Sequence, residues 1–270
     1  MKLFKKRPIF LCLLAVLLVL LVWTLWGNTA LMLTEYQVES ARLPASFDGF
    51  RIAQVSDLHN AEFGSGNKKL LAMLEDSQPD LIAVTGDLLD SRRTDVDVAV
   101  EFLRQAVQIA PVYYVPGNHE SRIPNAYAEL KAAMDALGIV ILESKSLLWE
   151  QTGESITISG LFDPAFGIST PNPTAEGFHL VLCHRPEIFD WYVRREFDLV
   201  LTGHAHGGQF RLPFVGGLYA PEQGFFPVYD SGIYTQGATT MVVSRGLGNS
   251  LFPLRFNNRP ELILITLESI

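Results

Sequence analysis

Seven side chains of the sequence are of kinds that hold divalent first-row metals, and all of them follow short apolar runs. Arg51 to Val55 leads into Ser56-Asp57-Leu58-His59, Leu81 to Val84 into Thr85-Gly86-Asp87, and Val112 to Val115 into Pro116-Gly117-Asn118-His119-Glu120. His179 to Leu182 leads into Cys183-His184-Arg185-Pro186, and Asp198 to Leu201 into Thr202-Gly203-His204-Ala205-His206. Carboxylate and neutral imidazole are good ligands for such cations, and Cys183 is the one thiol in these clusters. Asp-x-His and His-x-His each put two donors on one local segment. Seven N/O donors (Asp57, His59, Asp87, Asn118, His184, His204, His206) exceed the needs of one tetrahedral zinc. They suit two cations with shared and open positions, a device for metal-assisted hydrolysis. Asp87 has two acceptor oxygens and can bridge; Asn118 can offer only its neutral amide oxygen.

Taken singly, a strand-end Asp is usually a turn or cap residue and a lone His packs or is solvated. The joint pattern argues otherwise. The chain holds six histidines, and His179 alone lies outside these clusters; it begins a strand and reads as structural or surface.

The elements that must position these groups alternate. The five apolar runs are short and mostly unbroken, as expected of strands covered on both faces. Between them, Asn67 to Ser77, Asp95 to Gln108 and Pro124 to Leu137 carry apolar residues at helical spacing, such as Leu70, Leu71 and Leu74. Ligands bind beyond the carboxyl ends of strands in open α/β sheets, so five adjacent strand ends are expected to form one rim. Tyr36 to Val38 reads as a lead-in strand, Leu147 to Glu150 with Ser155 to Ser159 as a hairpin around Thr152-Gly153, and Met241 to Ser244 and Glu261 to Leu267 as late strands. The pattern predicts an α/β protein with layered sheets and helices outside rather than a plain doubly wound sheet.

Ahead of this domain, Ile9 to Trp26 is almost wholly apolar. About 18 helical residues span roughly 27 Å, close to a hydrocarbon core of ~30 Å. Trp23 and Trp26 stand at its far end, and Lys2, Lys5, Lys6 and Arg7 precede it. The positive-inside rule puts these basic residues in the cytoplasm and the rest outside the cell membrane, as a single-pass anchor. A cleaved signal peptide would have a shorter apolar core and small residues at its cleavage site, for which Asn28-Thr29-Ala30 is a poor match. The expected organisation is residues 1–33 as stub and anchor, 34–48 as lead-in strand and linker, and 49–270 as the catalytic domain. The formal net charge is -8, and no acid precedes Glu35, so the domain itself is strongly acidic and is not expected to bind nucleic acid. Cys12 in the apolar segment and Cys183 beside His184 are not expected to pair.

The set Asp57-Leu58-His59, Gly86-Asp87, Gly117-Asn118-His119-Glu120, His184 and Gly203-His204-Ala205-His206 resembles the calcineurin-like metallophosphoesterase superfamily over about Arg51 to His206. The segments Ser244-Arg245-Gly246-Leu247-Gly248 and Arg259-Pro260-Glu261 extend the likeness. The apolar anchor and the Gly-His-x-His-Gly-Gly-Gln run are similar to its membrane-anchored bacterial branch. The resemblance implies a four-layer α/β/β/α sandwich of mixed sheets behind one transmembrane helix. It implies two divalent ions (Mn, Fe or Zn), with Asp57, His59 and His206 on the first, Asn118, His184 and His204 on the second, and Asp87 between them. His119 would be catalytic, as general acid or charge stabiliser. The implied activity is hydrolysis of a phosphodiester or pyrophosphate, including lipid-linked ones such as UDP-diacylglucosamine. Gly207 to Phe226, rich in aromatic residues, is expected either to wall the site or to pack as an ordinary loop. The competing readings are a binuclear hydrolase of amides or lactams and a non-catalytic, membrane-tethered metal-binding module.

Overall fold

The computed structural model describes residues 6–162 and 177–270; Lys2 and Lys5 of the basic stub lie outside the described residues. The chain opens with α1 (Lys6–Thr29), β1 (Met32–Ser40), β2 (Arg51–Val55), α2 (Lys68–Asp76), β3 (Leu81–Thr85), α3 (Val96–Ala106) and β4 (Val112–Val115). It continues through α4 (Asn118–Arg122), α5 (Pro124–Ala136), β5 (Val140–Ile141), β6 (Lys145–Gln151), β7 (Glu154–Gly160), β8 (His179–Leu182), α6 (Phe189–Arg194) and β9 (Leu199–Thr202). Four short strands follow: β10 (Arg211–Leu212), β11 (Gly216–Gly217), β12 (Tyr219–Ala220) and β13 (Gly224–Phe225). The longer β14 (Gly232–Gln236), β15 (Thr239–Val243) and β16 (Glu261–Ser269) end the order.

Two six-stranded mixed sheets organise the domain. The first runs β1-β16-β2-β3-β4-β5 and the second β14-β15-β9-β8-β7-β6. Side chains alternate across each strand, so every central strand feeds two cores. Ile52, Leu81, Ala83 and Val115 of the first sheet meet Leu180, Leu182, Leu199 and Leu201 of the second in a core between the sheets. Ala53, Val55, Ile82 and Val84 point the other way, onto α2, α3 and α5 through Leu70, Leu74, Phe102, Leu103 and Leu130. Val181, Val200, Met241 and Val243 likewise pack on Phe189 and Tyr192 of α6. The result is four layers, α/β/β/α. Each wholly buried Leu or Phe contributes about 1.5–3 kcal/mol to holding them together. The second helical stripe starts where Asp95 caps α3, its side chain accepting from the Val98 N–H, a cap worth ~1 kcal/mol.

This arrangement corrects one expectation. The five polar clusters do not lie on five adjacent strands of one open sheet. β2, β3 and β4 belong to the first sheet, and β8 and β9 to the second. Short unbroken apolar runs announce burial on both faces but carry no information about which sheet a strand joins. The two sheets are tied by polar groups beneath their common edge. Buried Gln54 donates to Thr85 Oγ1 within its own sheet and to the Thr202 carbonyl across the gap, at 3.1 and 2.8 Å.

The lead-in strand is part of the first sheet: β1 pairs in parallel with β16 along its whole length. Ile9–Thr29 of α1 is long and apolar enough to cross a membrane, with mean hydropathy 2.9, and its apolar side chains are exposed. Its last turn is anchored to the domain. Asn28 donates to the Arg255 carbonyl and accepts from the Arg255 N–H, at 2.9 and 2.8 Å, while the Arg259 guanidinium lies 5.1 Å from the Trp26 ring centre.

Candidate metal centre

Asp57 sits just beyond β2, with its carboxylate fixed from both sheets. Ser56 Oγ donates to Oδ2 over 2.6 Å, and the His204 N–H, at the end of β9, approaches Oδ2 to 3.1 Å. This closure needs glycine at 203. A Cβ there would stand 1.9 Å from Ser56 Oγ and 2.4 Å from Asp57 Oδ2. Asp87 follows β3, and its Oδ1 accepts from the His119 N–H at 2.8 Å. The Asp87 loop is shaped by Glu120, wholly buried, whose two oxygens accept from the N–H groups of Asp87, Leu89 and Gly117 at 2.8–3.0 Å.

All eight residues singled out in the sequence converge. Asp57, His59 and His206 place one donor atom each within 4.8 Å of one another, and Asp87, His184 and His204 do the same. Asp87 joins the groups: its Oδ2 is 3.7 Å from His59 Nε2 and 3.2 Å from His184 Nε2. The amide of Asn118 lies at the second group, one terminal atom 2.9 Å from His204 Nδ1 and 3.2 Å from His184 Nε2. Asp57, His59, Asp87, His204 and His206 all have left-handed backbones, φ 48–67°. Such conformations in residues with a Cβ carry strain and persist only where surrounding structure enforces them.

The donor set fits divalent cations. His184 Nδ1 is 2.7 Å from the Thr85 carbonyl, so it carries a proton and leaves Nε2 facing the centre. His204 turns the other way: Nδ1 faces the centre, while Nε2 donates to Glu222 Oε2 at 2.5 Å. The Nε2 atoms of His59 and His206 face each other at 3.2 Å. With its oxygen inward, Asn118 adds a neutral acceptor beside His184 and His204, an arrangement that a divalent cation would satisfy. Burial lowers His59, and lowers His206 to about 3, so both are neutral imidazoles at ordinary pH. Burial would raise Asp87, but His184 and His59 overcome it and hold the carboxyl well below its usual range. Burial would likewise lower His184; the Asp87 carboxylate outweighs it and raises the ring to about 10. One imidazolium thus offsets buried carboxylate charge, a role that ligated cations take over.

A cleft of about 400 Å³ opens over the centre. Arg92, His119 and Arg122 line one part, and Phe210, Tyr219, Pro221 and Glu222 another. Part of the aromatic segment, through Phe210 and Tyr219, therefore walls the site. Phe214, Phe225 and Phe226 are exposed, so it is not an ordinary packed loop. His119 lies beside the groups, its ring 4.5 Å from that of His59. Its Nδ1 accepts from the Ser91 N–H and its Nε2 is 3.1 Å from Ser250 Oγ. Burial lowers its pKa to about 4. His179 is remote and buried, bonded to Ser159 Oγ at 2.6 Å. Cys183 is buried and Cys12 lies on α1.

Three supporting residues were not singled out from the sequence. Glu120 had a readable signal, an acid three places after Gly117 that reaches back to its N–H. Glu222 and the wholly buried Arg255 had none. Arg255 donates to the carbonyls of Arg245 and Gly248 and approaches His206 Nδ1 to 3.4 Å, bracing the loop that lies against Asp57.

The family model for calcineurin-like phosphoesterases matches residues 50–208. Among curated proteins, the chain is 33% identical to the metallophosphoesterase YkuE of Bacillus subtilis, over 87% of this chain and 85% of that one. It is 30% identical to phosphodiesterase YaeI of Escherichia coli, over 81% and 82% respectively. A "transmembrane protein with metallophosphoesterase domain" of Danio rerio is 28% identical over 87% of this chain and 56% of its own length.

Proposed function

Because the chain belongs to the calcineurin-like phosphoesterase family, whose activity is hydrolysis of phosphoester bonds, we propose the following site: Asp57, His59 and His206 hold one divalent cation, Asn118, His184 and His204 a second, and Asp87 both. The observation that carries the assignment is the position of Asp87, within 4 Å of an imidazole from each group. Mixed N/O ligation admits manganese, iron or zinc.

Cations bound there would supply Lewis acidity to phosphate oxygens and lower the pKa of water. The chain's own groups do the rest. The hydrogen bonds to Thr85 and Glu222 fix which nitrogen of His184 and His204 faces inward. Arg92 and Arg122 bring positive charge to the cleft that receives the phosphoryl group. His119, accepting at Nδ1, keeps its ring N–H on Nε2 and would offer it as a hydrogen bond to a phosphate oxygen, stabilising charge there.

The preferred substrate in this reading is a lipid-linked phosphodiester or pyrophosphate, UDP-diacylglucosamine-type compounds among them. The apolar walls Phe210, Leu251 and Phe252 beside charged groups support it. We also assign α1 as a membrane anchor with a cytoplasmic N-terminus and an extracytoplasmic catalytic domain, on the strength of its apolar length and the preceding basic residues. The domain is taken to span residues 49–270, with the lead-in strand joined to it through β16.

The test is hydrolysis of bis(p-nitrophenyl) phosphate by the full chain in detergent, with added manganese and after chelation. Turnover that depends on metal is expected; turnover unaffected by complete chelation would refute the two-cation reading.

A further inference from the structure

Several large apolar side chains beside the site are exposed on two adjoining segments. Phe214 is fully exposed at the tip of the β10–β11 hairpin, next to Val215 at 57%. On the neighbouring loop, Leu251, Phe252 and Leu254 are 41–66% exposed. The two segments form one surface. The Phe210 and Phe252 rings meet edge to face at 5.3 Å, and Gln209 Nε2 donates to the carbonyls of Phe252 and Leu254 at 3.0 and 2.7 Å.

This surface is locked to the end of α1. Asn28, in the last turn of the apolar helix, bonds both backbone polar groups of Arg255, and its Oδ1 accepts from Asn249 Nδ2 at 3.1 Å. Asn249 and Arg255 bracket the three apolar residues of the loop. A helix that crosses a bilayer and ends at Thr29, just past Asn28, holds that loop at the headgroup layer, where exposed apolar side chains enter the acyl boundary. Two arginines stand beside them: Arg93, its side chain 68% exposed and paired with Asp90 at 3.4 Å, reaches the Asn249 carbonyl, and Arg259, bonded to the Ala30 and Leu31 carbonyls, covers Trp26. The same loop reaches the site, since Ser250 contacts His119 and Arg255 contacts His206.

We propose that the 212–215 hairpin tip and the 251–254 loop insert into the outer leaflet, with Leu251 and Phe252 at the mouth of the active-site cleft, so that the enzyme takes its phosphoester directly from the bilayer surface. The occupant of the patch is the lipid of the membrane that α1 crosses; the inference therefore rests on the anchor reading. One arginine side chain, Arg255, separates the helix contact from the metal-site imidazole. An amphiphile lying in the leaflet can thus present its phosphate to the centre without leaving it.

Full-length chain is reconstituted at one copy per phosphatidylcholine nanodisc with brominated acyl chains, as Phe214→Trp, Val215→Trp and, on the distant edge strand β6, Leu148→Trp. Added fluorescence at 214 or 215 is expected to be quenched and that at 148 to be spared. Quenching of Trp23 and Trp26 reports the anchor separately. If they are quenched while 214 and 215 are not, docking is overturned and the anchor stands. If neither pair is quenched, both readings fall. A second arm uses Phe214→Asp with Val215→Asp, which lie outside the cleft lining. Hydrolysis of bilayer-embedded phosphatidyl-p-nitrophenol should fall about tenfold, with turnover of soluble bis(p-nitrophenyl) phosphate unchanged. Equal losses on both substrates would mean a structural defect and overturn the proposal.

Discussion

The backbone N–H of Ser91 donates to Nδ1 of His119 over 2.9 Å. That bond makes Nδ1 an acceptor and confines the ring proton to Nε2, the nitrogen near Ser250 at the cleft. His119→Asn should lower kcat by about 10²–10³-fold, the usual size of a lost hydrogen-bond donor to developing charge. Metal content by elemental analysis should stay at the wild-type value. Loss of metal together with activity would make His119 a ligand rather than a donor.

Asp87 stands between the two imidazole groups, so Asp87→Ala should disturb both cation positions. Stoichiometry measured after dialysis should fall below two ions per chain, and turnover by about 10²-fold or more. An unchanged metal count with full turnover would remove Asp87 from the centre.

Glu120 accepts three backbone N–H groups. Glu120→Gln turns part of the acceptor into a donor facing N–H groups in a buried site. A destabilisation of about 2–4 kcal/mol is expected in denaturant unfolding of the detergent-solubilised chain. A loss below about 0.5 kcal/mol would show that the loop is held by other means.

His179 provides a pH test away from the centre. Burial, helped by Arg42, lowers its pKa to about 4, against 6.5 for the free ring. Between those values the unfolded chain binds a proton that the folded chain excludes. Its effect is absent above about pH 6.5, and stability falls as pH drops through the window to about 4, by on the order of 3 kcal/mol from this residue. His179→Gln, which can keep a bond to Ser159, should flatten that part of the stability–pH curve. An unchanged slope would assign the acid sensitivity to other groups.

The convergence of these side chains was legible because His is a rare type in this chain and, with Asp, stands at regular positions after apolar runs. The helices were legible too: stripes such as Leu70, Leu71 and Leu74 mark the face of α2 that meets the sheet. Sheet membership was not, because Val84 and Val200 are equally apolar and equally buried on opposite sheets. Supporting groups such as Arg255 and Glu222 were hidden for a different reason. Their roles depend on partners far along the chain, His206 and His204, and no local spacing encodes those meetings.

β16 lies between β1 and β2 although it follows every other strand in the chain. While the polypeptide emerges during synthesis, β1 has already left with the helix but has no hydrogen-bonding neighbour until β16 arrives. The sheet that bears Asp57 and Asp87 is therefore completed last, through contacts between the two ends of the sequence, a slow class of folding event. The cradle of the first metal-ligand group thus depends on a strand far along the chain slotting between two early ones.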